Sequence, residues 1–104
     1  MKLPKTICVM GQEYKIVAHP TLEADHKCIG RCGGPDNVIE YDVPHHKKYP
    51  HQLLHTLLHE LKHAQQRQSG LSQVISLAVE EVDAETTANM LTQLFDMKLK
   101  KVRK

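Results

Sequence analysis

The sequence predicts an α+β protein in which a small β-sheet comes first and two helices follow. Short β-prone runs occupy the first 45 residues, whereas leucines recur at intervals of three and four after Pro50. A length of 104 residues with 40% hydrophobic content suits one compact domain with a thin core. We therefore expect a single domain over residues 1–104, mainly β-sheet over 1–45 and helical over 50–69 and 72–98.

The first 45 residues predict the strands of the sheet. Residues 6–18 predict a β-hairpin, because two β-prone runs lie around the residues Met10 to Glu13 and Gly11 supplies the backbone angles of a turn. Residues 21–35 are polar and contain glycines, which indicates a short helical turn or a loop. Residues 37–42, with the sequence NVIEYD, predict one more strand, and Pro44 ends it.

The second half of the chain predicts two long helices. In the first, Pro50 suits the opening turn and Gly70 marks the end. The second has an apolar seam at helical spacing. This seam consists of Leu77, Ala84, Ala88, Leu91 and Phe95. Residues 96–104 extend beyond the seam, so we expect them either to fray or to fold back along a cleft in an extended form.

Composition by itself gives no indication of nucleic-acid or membrane binding. A formal net charge of +2 is too small to predict nucleic-acid binding, and no stretch of 18 apolar residues predicts a membrane span. The first residues, MKLPKTICVMGQE, lack the continuous apolar run of a signal peptide, so we expect a cytoplasmic protein with reduced cysteines. Cys28 and Cys32 have a spacing that suits a second metal or a redox pair, but no further pair with zinc-site spacing accompanies them.

The chemistry-bearing motif is His59-Glu60-Leu61-Lys62-His63, in the middle of the first predicted helix. Residues four apart lie on one helix face, so two neutral imidazoles can bind one tetrahedral metal while Glu60 projects beside them. Zinc suits these donors, and a glutamate can accept the proton of a metal-activated water. Chance spacing is the alternative, because His51 and His55 continue the same interval of four.

A third metal ligand must come from another element, and the second predicted helix offers several carboxylates. Its apolar seam is centred close to Glu81, whereas Asp83 points to the opposite side and Glu85 lies at the margin. We expect one Zn²⁺ per chain, bound by His59, His63 and Glu81. Glu85 would accept a hydrogen bond from the ring nitrogen of a ligand histidine. The alternative for both glutamates is a solvated acidic patch.

These residues resemble the gluzincin group of zinc metallopeptidases, in which a glutamate on the next helix completes the His-Glu-x-x-His site. The segment 81–88, EVDAETTA, looks like the E-x-x-A-D-x-x-A segment of the minigluzincins, with Glu85 replacing the usual aspartate. Residues 85–89, ETTAN, look like the start of the E-x-x-A-N-x-F-A segment of ImmA/IrrE-type peptidases, and that alignment instead would make Glu85 the ligand. The resemblance covers about residues 37–95 and implies a zincin-like miniature fold.

The resemblance implies a zinc metalloendopeptidase that hydrolyses peptide bonds, with Glu60 as general base and a peptide or protein as its substrate. In such families an edge strand before the active helix binds an extended peptide, and residues 38–42 are the matching segment, with an ordinary strand of the sheet as the equally weighted alternative. Some minigluzincins are kept latent by their own C-terminal segment, so residues 96–104 are expected to inhibit weakly.

Two other classes of function stay open. One is a non-catalytic, zinc-stabilised module that binds a protein partner, and the other is a DNA-associated factor that uses the basic tail. Among the remaining histidines, His55 is expected to be partly buried on its helix. We expect His45, His46 and His51 to be exposed.

Overall fold

The computed structural model describes the backbone of residues 3–102 and the side chains of residues 3–95. These residues form one four-stranded sheet and four α-helices, which confirms the α+β class. In chain order the elements are β1 (Thr6–Val9), β2 (Gln12–His19), α1 (Leu22–His26), β3 (Gly30–Gly33), β4 (Val38–Asp42), α2 (Val43–Lys48), α3 (Leu53–Gln68) and α4 (Leu77–Val102).

The sheet has the strand order β1-β2-β4-β3. Strands β2 and β4 pair in parallel, and the other two pairs are antiparallel. The hairpin of β1 and β2 is confirmed, and it turns through Met10 and Gly11, whose φ angles are 49° and 83°. Two successive left-handed residues form the type I′ turn that matches the twist of paired strands, and glycine adopts that conformation without strain.

The segment from residue 21 to residue 35 contains more structure than its sequence predicts. Helix α1 is the expected short helical turn, but the edge strand β3 was not expected. Its sequence, Gly-Arg-Cys-Gly, has low β propensity, and the strand exists because it pairs with β4. Strand β4 is therefore internal, and the prediction that residues 38–42 form an edge strand is wrong.

The main core lies between one face of the sheet and helix α3. Its buried side chains are Tyr14 from β2, Ile39 from β4, and Leu57 and Ala64 from α3. Alternate strand residues share a face, so Ile16 and Tyr41 also face this core while their neighbours face away from it. The Tyr14 hydroxyl accepts a hydrogen bond from Gln68 Nε2 at 2.8 Å, which satisfies the polar atom of the largest core side chain.

Helices α3 and α4 begin later than the sequence predicts, because 3₁₀ turns at Pro50–Gln52 and Leu71–Gln73 precede them. Ser76 Oγ accepts a hydrogen bond from the backbone N–H of Val79, which is the contact an N-cap residue makes, so α4 begins at Leu77. Gly70 has a left-handed φ of 82° and follows the end of α3, as predicted.

Helix α4 packs antiparallel to α3 through small side chains. Ala84 and Ala88 of the predicted seam are fully buried, but Leu77, Leu91 and Phe95 are exposed. The 16 residues of α3 are about 24 Å long and the 26 residues of α4 about 39 Å, and His55 near the start of α3 contacts Asn89, so the C-terminal part of α4 projects beyond α3. The seam prediction is therefore wrong at its two ends.

Helix α4 continues as far as Val102. The extended fold-back expected for the tail is therefore wrong for residues 96–102, and residues 103–104 lie outside the described part of the chain. Within the described residues, none of the helices is both long enough and apolar enough to cross a lipid bilayer.

A buried aspartate connects the end of β4 to two helices. Asp42 Oδ1 accepts the backbone N–H of Glu23 in α1 at 2.9 Å, and its Oδ2 accepts the N–H of His45 in α2 at 2.8 Å. Burial by itself would raise the pKa of Asp42, but these two N–H donors outweigh it and hold the pKa below its ordinary value of 3.8. The ionised carboxylate is thus the form that the folded chain stabilises.

His46 is buried, which contradicts the prediction that it is exposed. Its Nδ1 lies 2.7 Å from the carbonyl oxygen of Asp42, so this nitrogen carries the proton and donates it. Its Nε2 is then the acceptor for the Thr56 hydroxyl, 2.8 Å away on α3. Because His46 joins β4 to α3 through its two ring nitrogens, it is part of the core. His45 is half-buried, and His51 is exposed as expected.

We predict that Asp42→Asn lowers the free energy of unfolding by about 2 kcal/mol at pH 7, because an amide oxygen is a weaker acceptor than a carboxylate. The pKa of Asp42 is lower in the folded state than in the unfolded state. Its stabilisation is therefore complete above the unfolded pKa and is lost as the pH falls through the folded pKa.

Urea denaturation of both proteins from pH 7 to pH 2.5 measures this difference. The variant Asp36→Asn is the control, because Asp36 is an exposed loop residue. A difference between wild type and Asp42→Asn that persists unchanged at pH 2.5 would contradict the assigned role of the carboxylate.

Candidate metal centre

The motif histidines and one glutamate converge between helices α3 and α4. His59 Nε2 and His63 Nε2 are 3.2 Å apart. Glu81 Oε2 lies 3.3 Å from His59 Nε2, and Glu81 Oε1 lies 3.0 Å from His63 Nε2. Within the described side chains this is the one group of three or more His, Cys, Asp or Glu residues placed to hold a metal ion.

The spacing of these donors fits a zinc ion. Zinc binds nitrogen and oxygen donors at about 2.0–2.1 Å, so two donors of a tetrahedral site lie roughly 3.3 Å apart. The three separations, 3.0 to 3.3 Å, are close to that value. A carboxylate and two ring nitrogens that present lone pairs to one another repel unless a positive charge lies between them. The residues present therefore suit a divalent cation.

Glu85 orients His59. His59 Nδ1 donates to Glu85 Oε2 at 2.9 Å, which leaves the Nε2 lone pair directed at Glu81 and His63. The other oxygen of Glu85 lies 3.1 Å from His55 Nε2, and His55 is half-buried as expected. Both Glu85 oxygens thus face histidines. This is the arrangement expected if Glu81 binds the metal and Glu85 fixes the tautomer of a ligand.

Gln66 orients the second histidine in the same way, a role that was not predicted from the sequence. The side chain of Gln66 is fully buried, and its Nε2 donates to Asp83 Oδ2 at 2.8 Å and to the Glu80 carbonyl at 3.0 Å. Its Oε1 therefore acts as an acceptor and faces His63 Nδ1 at 2.9 Å. That nitrogen must carry the proton, so the Nε2 lone pair of His63 is free for a metal.

Asp83 faces α3, which contradicts the prediction that it points to the opposite side. Besides Gln66, its carboxylate lies 3.7 Å from Lys62 Nζ. Since Ala84 and Ala88 add little bulk between the helices, side chains on both flanks of the seam reach α3. For Gln66, the signal available in the sequence was its position three residues after His63, because residues three apart on a helix are neighbours.

Glu60 is buried beside the two motif histidines, with only 8% of its surface exposed. Burial raises the pKa of its carboxyl above the ordinary value. The neighbouring His59 and His63 act in the opposite direction, and Glu81 raises the pKa further. A carboxylate with a raised pKa is a stronger base than one in water, which suits proton transfer near neutral pH.

A cleft of about 660 Å³ surrounds these residues. Helix α3 contributes Glu60 and the histidines, α4 contributes the glutamates, and consecutive residues 27–32 at β3 form the opposite wall. Consecutive residues can line a cleft when an edge of the backbone, rather than one face of a strand, borders it. A Cβ at Gly30 would lie 2.6 Å from Thr56 Cγ2 and 3.0 Å from Glu60 Oε2, so the close approach of β3 to α3 requires glycine there.

Cys28 and Cys32 also line the cleft, as free cysteines. Burial raises the pKa of the Cys32 thiol to about 11, although Arg67 lowers it, and burial also raises the pKa of Cys28. Metal binding and disulfide chemistry both use the thiolate, which these pKa values disfavour at neutral pH. Neither cysteine belongs to a metal-binding group among the described side chains.

No family model, curated protein or solved structure matches this chain.

Replacing Glu81 by glutamine should weaken Zn²⁺ binding far more than replacing Glu85. The first change removes a charged metal ligand, whereas the second removes a hydrogen-bond acceptor of His59, for which about a 10- to 100-fold loss of affinity is expected. Competition with a chromogenic chelator measures both affinities at pH 7.5. The reverse order would assign the metal to Glu85.

For Gln66→Leu we also expect a loss of about 10- to 100-fold in Zn²⁺ affinity, because the ring of His63 loses the acceptor that fixes its tautomer. Gln68→Leu is the matched control on the same helix, since Gln68 bonds to Tyr14 and not to the candidate metal centre. Affinities that fall equally in the two variants would indicate a general loss of stability instead.

Proposed function

We propose that this protein is a zinc-dependent metallopeptidase whose ion is held by His59, His63 and Glu81. The observation that carries the proposal is the convergence of these three side chains, with donor separations of 3.0 to 3.3 Å, next to a buried glutamate in an open cleft. Three protein donors leave the fourth tetrahedral position for a reactant, which is typical of catalytic zinc sites.

Each residue has a distinct role in this proposal. A zinc ion supplies Lewis acidity, which polarises the scissile carbonyl and makes water acidic enough to be deprotonated near pH 7. Glu60 accepts the proton of the attacking water and later donates it to the leaving amine. Glu85 and Gln66 keep the ring nitrogens of His59 and His63 directed at the ion.

A non-catalytic zinc module is the less favoured alternative. A structural zinc site is normally closed by four protein ligands, and the donor group found among residues 3–95 has three. A structural zinc site would also gain nothing from the buried Glu60. Its raised pKa means that ionising this carboxyl costs free energy. The open cleft and the placement of Glu60 therefore favour catalysis.

The edge strand β3 suits an extended peptide as substrate. Strand β3 borders the cleft and pairs with β4 on one side, so its other edge can pair with an added strand. Main-chain hydrogen bonds of this kind can bind peptides of many different sequences. They would also present one peptide carbonyl to the candidate metal centre. In keeping with its free cysteines, we propose that the protein acts in the cytoplasm.

The decisive variant is Glu60→Gln, which has nearly the same shape but cannot accept a proton. We expect it to retain stoichiometric zinc while hydrolysis of an unstructured protein substrate falls by about 100-fold or more. The exposed Glu13→Gln is the matched control and should hydrolyse at the wild-type rate.

Zinc content by elemental analysis and new amino termini by mass spectrometry are the two measurements. A zinc-loaded wild type that hydrolyses none of a broad set of unstructured substrates would refute the proposed peptidase. Hydrolysis by Glu60→Gln at the wild-type rate would instead remove Glu60 from the reaction.

A further inference from the structure

Arg67 lies at one end of the cleft, one helical turn beyond His63. Residues four apart on a helix share a side, and one turn corresponds to about 6 Å along the axis. Arg67 lines the cleft together with the metal-centre residues, and its side chain is exposed to solvent. The positive charge of Arg67 therefore lies close enough to the candidate centre to contact the same bound peptide a few residues away from it.

The guanidinium of Arg67 is directed at the edge strand. Its Nη2 lies 3.4 Å from the position that a Cβ would take on Gly33, an ordinary contact distance that places the guanidinium against this strand. Its charge also lowers the pKa of the thiol of Cys32, the preceding strand residue, although burial of that thiol outweighs the effect. A cation at the last turn of α3 is favourable for the helix dipole, but that effect does not require the guanidinium to lie over β3.

Arg67 also has no carboxylate partner within 4.0 Å among residues 3–95. Two neighbouring cations do have one, since Arg31 bonds to Glu40 at 2.7 Å and Lys62 lies 3.7 Å from Asp83. On the opposite wall of the cleft, Glu81 and Glu85 face histidines. An arginine offers a planar fork of donors that matches a carboxylate, so the unpaired guanidinium is a ready binding site for one.

We infer that Arg67 binds an acidic side chain of the substrate and that the cleft therefore selects extended peptides carrying Glu or Asp near the scissile bond. This inference rests on the proposed function, because it describes a subsite of the same cleft. It adds a substrate class that the metal centre itself does not specify.

The geometry also assigns a side of the scissile bond. Gly30 lies next to Glu60 and Gly33 next to Arg67, so β3 runs in the same direction as α3. Antiparallel pairing is slightly more stable than parallel pairing, so a peptide added to β3 runs in the opposite direction. Its amino-terminal part then passes Arg67, about two or three residues before the scissile bond, given about 3.4 Å per strand residue.

Peptide binding can be measured without turnover on zinc-loaded Glu60→Gln. Three fluorescent octapeptides, identical except for Glu, Gln or Lys at the third residue before the central bond, are compared by anisotropy at low salt. We expect the Glu peptide to bind about 5- to 10-fold more tightly than the Gln peptide, and the Lys peptide to bind most weakly.

Adding Arg67→Gln should abolish the difference between the three peptides, whereas adding Lys15→Gln should preserve it. Lys15 is an exposed cation on β2 outside the cleft, so its removal controls for net charge. Equal binding of the three peptides, no measurable binding of any of them, or a preference that survives Arg67→Gln would overturn the inference.

Hydrolysis by the wild-type chain is measured separately on the same peptides. Selective binding without hydrolysis would refute the proposed peptidase and leave the acidic subsite standing. Hydrolysis without a preference for acidic peptides would support the proposed peptidase and refute the acidic subsite.

Discussion

The packing of α4 against α3 is the interaction on which the candidate site depends. Helix α3 alone presents two imidazoles, and two donors do not hold zinc tightly. The third donor, Glu81, arrives because Ala84 and Ala88 let α4 lie close to α3. Burying an alanine methyl stabilises the packing by only about 0.8 kcal/mol, so the two alanines contribute little to holding α4 against α3.

Polar contacts supply much of the remaining attachment of α4. His55 bonds to Asn89, His59 to Glu85, and Gln66 to Asp83, and these pairs follow the helix contact from one end to the other. Two of these residues also fix the tautomers of the motif histidines, because Glu85 bonds to His59 and Gln66 bonds to His63. A bound ion that joins both helices would therefore stabilise the packing as well as complete the centre, because metal binding and folding are thermodynamically coupled.

The other wall of the cleft depends on glycine in β3. Gly30 lets the strand pass close to Glu60, which buries that carboxylate and raises its pKa. The guanidinium of Arg67 lies beside Gly33 of the same strand. A strand richer in β-branched residues would pair as well with β4, but it could not approach α3 so closely. The low β propensity of this segment is thus a consequence of its position beside the centre.

The sequence by itself determined the local features, namely the hairpin of β1 and β2, the helix with His59 and His63 on one side, and the stop at Gly70. Each follows from backbone preferences or periodicity within a few residues, which a sequence displays directly. Only the tertiary structure decided that β3 is an edge strand, that His46 is buried, and that Gln66 and Asp83 meet across two helices. Those outcomes depend on which elements become neighbours and on how closely they approach one another. The periodicity of residues along the chain predicts neither of these.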